Sequence, residues 1–310
     1  PILMFKIIII ILQLILFIVI SPVLSGLISK IKNNVRMRKG QGILQPYYNL
    51  AKLSSKGEVV SETASWIFRI TPFVVFASML VSALLIPVFI LRSPLNHAGD
   101  FLALIFIFSL GRFFLALSAL DTGSSFGGMG SSREMFISSL VEPAFCMAVF
   151  AVSLQFGSTD ISAFSGAHTI AVSSIVAGVT LFLVTIAETS RIPVDNQETH
   201  LELTMVHEAM LLEYSGRSLA LIEMAAYIKQ MILFFLIAQI VFPITLPVYG
   251  NLPQIFFWIL WYLGRIIIIA IAVALVEVSV AKMRLFRVAD FLGLAFVLGV
   301  IASVCAILGV

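Results

Sequence analysis

The sequence predicts an all-α, polytopic membrane protein of eight transmembrane helices, and three observations carry that prediction. Hydrophobic residues form 60% of the 310-residue chain and charged residues 11%, with a mean hydropathy of +1.11, far outside the composition of soluble domains. Apolar runs close to the ~20 residues a helix needs to cross a bilayer core recur along its length. Period-2 alternation, the mark of a transmembrane barrel, is absent from runs such as Ile7–Leu12 and Ile266–Ile271. Hydrocarbon offers the backbone no hydrogen-bond partner, so such segments must be helices.

The spans follow in order. The first, about 7–29, has no small-residue cleavage site behind a short apolar core and is expected to be a retained span rather than a signal peptide. The second, about 70–91, follows Arg69, and the third, about 101–120, carries Arg112 near its middle. The fourth, about 135–156, contains Glu142 and Pro143, and the fifth, about 170–187, stops at Glu188. The sixth, about 230–249, begins after Lys229; the seventh, about 255–276, contains Arg265; the eighth, about 288–308, follows Arg287. Together they make one integral membrane domain over 1–310, with cytoplasmic links expected at about 30–69, 121–134, 188–229 and 277–287.

Lys and Arg orient the bundle. Lys30, Lys32, Arg36, Arg38, Lys39, Lys52, Lys56, Arg69, Arg133, Arg191, Arg217, Lys229, Lys282, Arg284 and Arg287, fifteen of nineteen, fall in alternate links or their flanks. Lys6 and Arg92 fall on the other side, and Arg112 and Arg265 lie inside spans. The positive-inside asymmetry therefore predicts cytoplasmic links and both termini on the outer side of the plasma membrane. The net charge of +3 follows from this topology and does not indicate nucleic-acid binding.

Several chemistries are excluded. Cys146 and Cys305 lie in different spans without a CxxC pair, so this chain alone cannot ligate an iron–sulfur cluster or a thiolate metal site. No GxxxxGK[ST] loop exists, and the glycines of 123–130 follow a helix rather than a strand. His207-Glu208 opens like a zincin helix, but Leu211 stands where the second ligand would be. No catalytic or metal site is expected within the chain.

What remains is charge placed with economy. Segment 188–227 holds seven of the sixteen carboxylates: Glu188, Asp195, Glu198, Glu202, Glu208, Glu213 and Glu223. Glu198 and Glu202 would share a helix face, where like charges repel and carboxyl pKa values rise. Interleaved Leu, Met and Ile imply that this loop packs against something. In the first link, Pro46 suits the first turn of a helix that begins near Gln45. Its basic residues can lie on an anionic leaflet or dock a partner, and both can hold together.

Asp121 and Arg133 stand at the mouth of the bundle around the glycines of the second link, beside Glu134. Glu142 lies about two turns further in. A carboxylate there costs on the order of 2.5–3.5 kcal/mol by insertion scales. Pro143 removes one backbone hydrogen bond beside it. Two roles are open for Glu142, a structural ion-pair partner of Arg112 or a proton-relay station. The relay is preferred, because intramembrane carboxylates mark ion paths by default. Glu134, Glu142, Glu188, Glu277 and Asp290 all map to the cytoplasmic half. The expected path therefore enters from the cytoplasm, reaches mid-membrane near Glu142 and leaves sideways, with Arg112 and Arg265 as fixed positive charges that tune those carboxylates and block cation leak outward.

These motifs, in order, carry a family resemblance. Arg191-Ile-Pro-Val-Asp195, Thr199-His-Leu-Glu-Leu-Thr-Met-Val-His-Glu208 and Leu212-Glu-Tyr-Ser-Gly216 resemble the membrane subunit that joins the two arms of respiratory complex I. They are more similar still to the equivalent subunit of energy-converting, membrane-bound nickel–iron hydrogenases and formate hydrogenlyase-type complexes. Leu120–Glu134, Val141-Glu-Pro143, Gly42-Ile-Leu-Gln45 and Phe68-Arg-Ile-Thr-Pro72 match the hydrogenase branch. Gly40-Gln41-Gly42, Asn49 and Gln197-Glu198 depart from the family's Gly-Pro-Gly, Asp and Pro-Ala.

The resemblance implies a non-catalytic coupling subunit. Its implied partners are cytoplasmic iron–sulfur and large nickel–iron hydrogenase-like subunits, which hold the iron–sulfur clusters and the nickel–iron centre, and antiporter-like membrane subunits. Docking falls to Arg36, Arg38, Gln45, Arg191, Asp195, Glu198, His200, His207 and Arg217. Proton or Na⁺ relay falls to Asp121, Glu134, Glu142, Glu188, Glu202, Glu213 and Glu277 with Arg112 and Arg265. The competing readings are a passive anchor, the equivalent subunit of a sulfur- or quinone-reducing assembly, and a stand-alone transporter. The last lacks the paired interrupted helices expected of one.

Overall fold

A computed structural model describes residues 2–88, 99–161, 171–195, 205–242 and 252–309. Ten helices make up the described chain: α1 (Ile2–Val35), α2 (Gln45–Ser55), α3 (Trp66–Leu85), α4 (Phe101–Asp121), α5 (Ser125–Phe156), α6 (Val172–Glu188), α7 (His207–Leu211), α8 (Gly216–Val241), α9 (Leu252–Ser279) and α10 (Leu285–Leu308). Seven are long and apolar enough to cross a membrane, and α6, at 17 residues, is the shorter eighth apolar helix. The all-α, polytopic architecture expected from the sequence is the one the chain adopts. Below, the side bearing α2 and α7 is the link side and the opposite one the far side.

Helix α8 is the axis of the bundle. Every residue from Gln230 to Ile240 is buried, and α1, α3, α6 and α9 pack around it, with α2 against its link-side end. Helix α5 packs against α4, α6 and α10. Continuous apolar surface on α9 and α10, such as Phe256, Leu260 and Ile268 or Leu294, Val297 and Ile301, faces outward. In a membrane protein that surface meets lipid, so it needs no partner.

The links are shorter than the sequence suggests. Ser125–Glu134, expected in a link, forms the first turns of α5, because its glycines serve close packing rather than turns. A Cβ on Gly130 would stand 2.8 Å from the Ala209 Cβ, and one on Gly127 would stand 2.4 Å from the Ala119 carbonyl oxygen. Link 188–229 is likewise cut short, because α8 begins at Gly216 and absorbs Arg217, Glu223 and Lys229. Hydropathy counts each of those charges against a span, whereas Lys229 is neutralised inside the bundle. The fourth link shrinks from 277–287 to 280–284, and the first is broken by α2, with Pro46 in its first turn.

The links also lock together. Tyr214 stacks on Phe68 at 4.0 Å with 6° between the rings, and its hydroxyl donates to the Phe68 carbonyl at 3.1 Å. Ser215 Oγ accepts from Val59 N (2.8 Å) and donates to Val59 O (3.0 Å), while Ser218 donates to Glu58. Gly216, at φ +54°, lets that turn pass Gly57, whose carbonyl oxygen would lie 2.6 Å from a Cβ there. Asp121 Oδ2 accepts from Ser65 N at 2.7 Å, tying the start of α3 to the end of α4.

Candidate functional site: a buried charge layer and two cavities

Helix α6 is too short to complete a crossing. Seventeen residues span ~25 Å against a hydrocarbon core of ~30 Å. Glu188, its last residue, therefore ends inside the bundle, level with Arg112 near the middle of α4. The chain that continues as Thr189–Asp195 fills part of the missing depth, and Ser190–Asp195 is buried throughout. Two cavities occupy the rest.

Around Glu188 a chain of charges crosses four helices. Glu142 Oε1 on α5 lies 3.1 Å from Arg112 Nη2 on α4, and Arg112 Nη1 lies 2.8 Å from Glu188 Oε1. Glu188 Oε2 lies 2.5 Å from Lys229 Nζ on α8. Ser138 Oγ accepts from Arg112 at 3.1 Å, and Ser109 Oγ donates to Glu142 at 2.7 Å. Glu188 is almost wholly enclosed, whereas the Glu142 side chain is 40% exposed on the outside of the bundle. The chain thus leads from the core to the lateral surface.

A second chain lies beside it. Glu277 on α9 takes Lys32 of α1 at 3.1 Å and Arg191 at 2.6 Å, and Arg191 also donates to Gln230 Oε1 at 3.0 Å. Lys229 and Gln230 are consecutive, so α8 serves both chains. Asp195, buried, clips the third link in place: Oδ1 pairs with Lys282 at 2.7 Å and Oδ2 accepts from Val206 N and His207 N at 3.2 and 3.3 Å.

The cavities join these chains to the link side. One of about 150 Å³ reaches Arg112, Glu134, Glu188, His207, Glu208, Glu223 and Lys229. The other, of about 550 Å³, reaches Lys32, Lys39, Asn49, Asp195 and Glu277. Ser25, Ser190, Arg191 and Tyr227 line both, so the two meet at Arg191. The larger cavity has mainly polar walls and the smaller one mixed walls carrying the charged groups, and both volumes suit ordered waters.

The structure brings together Arg112, Glu134, Glu142, Glu188, Arg191, Asp195, His207 and Glu277 from the residues expected on sequence grounds. Asp121 instead caps the start of α3, and Glu213 sits in the turn before α8 and lines neither cavity. Arg38 and Arg217 are exposed and Arg36 and Gln45 half-buried, Gln45 Nε2 donating to Asn49 at 3.1 Å. Glu198, His200 and Glu202 lie outside the described residues. Arg265 stands away from the layer, on the far half of α9. Lys32, Glu208, Glu223, Tyr227, Lys229, Gln230 and Lys282 join the site although none was among the relay or docking candidates. The available signal was positional, since Glu223, Lys229 and Gln230 interrupt a sequence that becomes an apolar helix. Among the described residues no group of three His, Cys, Asp or Glu side chains is placed to hold a metal.

Fold and site together define a class: a multi-pass membrane protein that encloses paired charges and a polar cavity reaching from one face. The chain belongs to the NADH dehydrogenase family, whose model matches residues 6–308. It is 32% identical to hydrogenase-4 component C of Escherichia coli (strain K12), over 94% of this chain and 93% of that protein. Formate hydrogenlyase subunit 4 of the same organism is 29% identical over 88% of this chain and 90% of its own. NADH-quinone oxidoreductase subunit 8 of Rhodothermus marinus is 28% identical over 65% and 61%. The fold matches a chain in the structure of the membrane-bound sulfane sulfur reductase, an archaeal respiratory membrane complex, with a TM-score of 0.79, 16% identity and coverage of 96% and 99%. The family resemblance carried by the sequence motifs is thereby borne out.

Proposed function

We propose that this chain is the non-catalytic membrane subunit of an ion-pumping oxidoreductase complex. It docks a cytoplasmic iron–sulfur and nickel–iron hydrogenase-like module and couples its reaction to H⁺ or Na⁺ translocation by antiporter-like neighbours in the plasma membrane. The observation that carries this reading is the continuous ion-paired chain Lys229–Glu188–Arg112–Glu142. It starts at a cavity on the link side lined by charged side chains and ends on a carboxylate half-exposed to the lateral surface. Names of the relatives, a hydrogenase-4 component and a formate hydrogenlyase subunit, support the class of partner. The cytoplasmic orientation of the links, with both termini outside, rests on the placement of Lys and Arg.

In this reading the cavity hydrates the cytoplasmic end of the chain. Arg112 and Lys229 lie against Glu188 on either side, so a charge arriving at one end of the chain is felt by the carboxylate at the other. Ionisable groups are sparse in the far half, so the path leaves sideways at Glu142 into a neighbouring subunit.

Glu142→Gln keeps the shape and removes the ionisable proton. The expected outcome is an assembled complex that turns over with an artificial electron donor while ion pumping into vesicles collapses. Normal pumping by the variant would instead favour a passive anchor. The electron acceptor, whether protons, sulfur or quinone, is a property of the partner module. The subunits that co-purify with this chain identify it.

A further inference from the structure

Among the described residues, four cations are buried to below a tenth of their surface: Lys32, Arg112, Arg191 and Arg265. The first three each lie 2.6–3.1 Å from a carboxylate. Arg265, the most enclosed at 3%, has no carboxylate against it among the described residues. Its Nη1 donates to the carbonyl oxygens of Phe242 (2.5 Å) and Ala238 (3.4 Å) at the end of α8. The guanidinium lies 4.2 Å from the Tyr262 ring centroid, and among the described residues its Nε and Nη2 meet no hydrogen-bond partner. A helix C-terminus and an aromatic face stabilise a cation without neutralising it.

Capping α8 does not require a charge. The same bundle caps the end of α3 with a neutral side chain, Gln13, which donates to Ala83 O at 2.7 Å and Ile86 O at 2.6 Å. An unpaired buried cation is costly, so its retention at a site where an amide would serve calls for a reason. Position supplies one. Phe242 lies twelve residues beyond Gln230 on α8, and Arg265 twelve before Glu277 on α9, which puts ~18 Å between the guanidinium and the paired layer. The hydrogen-bonded polar side chains described along that seam are Gln239, Tyr262 and Arg265, with Tyr262 donating to Gln239 at 2.7 Å. The space beside Tyr262 is an apolar void of about 10 Å³, bordered by Phe17, Met231 and Phe235, at the lower limit for a single water.

We infer that Arg265 is an electrostatic barrier. It is an uncompensated positive charge that repels protons and metal cations and closes the α8–α9 seam between the charge layer and the far side. The purpose of the barrier rests on the coupling reading, since only a complex that builds a gradient needs to protect it, but the leak it prevents is measured without turnover.

Membrane vesicles containing the assembled complex are given a pH gradient in the absence of electron donor, and its decay is followed with a fluorescent pH probe. Arg265→Gln keeps a donor for the Phe242 carbonyl and loses the charge; the gradient is expected to decay several-fold faster. Arg265→Lys keeps the charge and is expected to match wild type. Decay at the wild-type rate in an assembled Arg265→Gln complex overturns the inference, and so does equal acceleration in the Lys variant, which would point to packing. If Arg265→Gln does not assemble, Gln239→Glu sets a counter-charge beside Tyr262, whose ring lies 4.2 Å from the guanidinium. Tight vesicles from that variant overturn the inference equally. Loss of pumping by Glu142→Gln leaves this readout unchanged, so failure of one reading is distinct from failure of the other.

Discussion

Lys229 and Gln230 are chain neighbours that serve different partners, one holding Glu188 and the other Arg191. Successive residues on a helix point ~100° apart, so one turn of a central helix can feed two charge chains. A buried ion pair adds little net stability, but removing one partner strands the other charge at a cost of ~3–5 kcal/mol. Glu188→Gln leaves Lys229 without its counter-charge, while Arg112 keeps Glu142. We expect that variant to lose stability of this order in detergent. The double variant Glu188→Gln with Lys229→Met should recover much of it. Thermal unfolding of the purified complex checks this; a double variant no more stable than the single one would show that the pair is not energetically coupled.

Two elements position the third link, α7 and the Tyr214 turn. Helix α7 has five residues and could not persist alone; it is held by the close approach of Gly130 on α5. Gly130→Leu should push α7 away and raise hydrogen exchange over 205–215, while the helical content of the bundle is retained. Exchange at wild-type rates would show that α7 is held by other contacts. Tyr214 bears on the same lock through pH. Burial raises its hydroxyl from the ordinary 10.0 to about 12, so the folded state holds the proton more tightly than the unfolded chain. The contribution is fully present below about pH 10 and is lost as pH rises toward about 12. Tyr214→Phe removes the hydrogen bond to Phe68, and its link should show weaker protection that lacks this alkaline step.

At the scale of the whole molecule, the link side is the face suited to docking. Met37, Leu44, Tyr48 and Val59 are exposed there beside Arg38, Lys39 and Lys52. On the proposed function, these apolar side chains in a basic surround form the docking surface. Photo-cross-linkers placed at Tyr48 and Arg217 in the intact assembly should capture soluble redox subunits. Cross-links to lipid alone would remove the docking part of the proposed function. On the same proposal, the lateral face at Glu142 meets the neighbouring membrane subunit.

Composition and apolar run length determined the class of fold, the number of apolar helices and the side on which charge collects. These are local quantities, and hydropathy reads them one window at a time. The motifs around Arg191, Glu142 and Glu208 determined the family for the same reason, being contiguous strings. Helix ends were less legible. Ser125–Glu134 reads as a link until Gly130 is seen against Ala209, and 217–229 reads as a charged loop until Lys229 is seen on Glu188. Only tertiary structure could decide which charges are neutralised, because Lys32, Arg191 and Glu277 meet from segments far apart in the chain. The same limit explains why Arg112 and Arg265, alike as lone arginines in apolar spans, have different surroundings. One is balanced by two carboxylates brought from α5 and α6, and the other faces helix-end carbonyls with no counter-charge among the described residues. A charge in hydrocarbon is defined by what stands within a few ångströms of it, and that is a property of packing, not of sequence order.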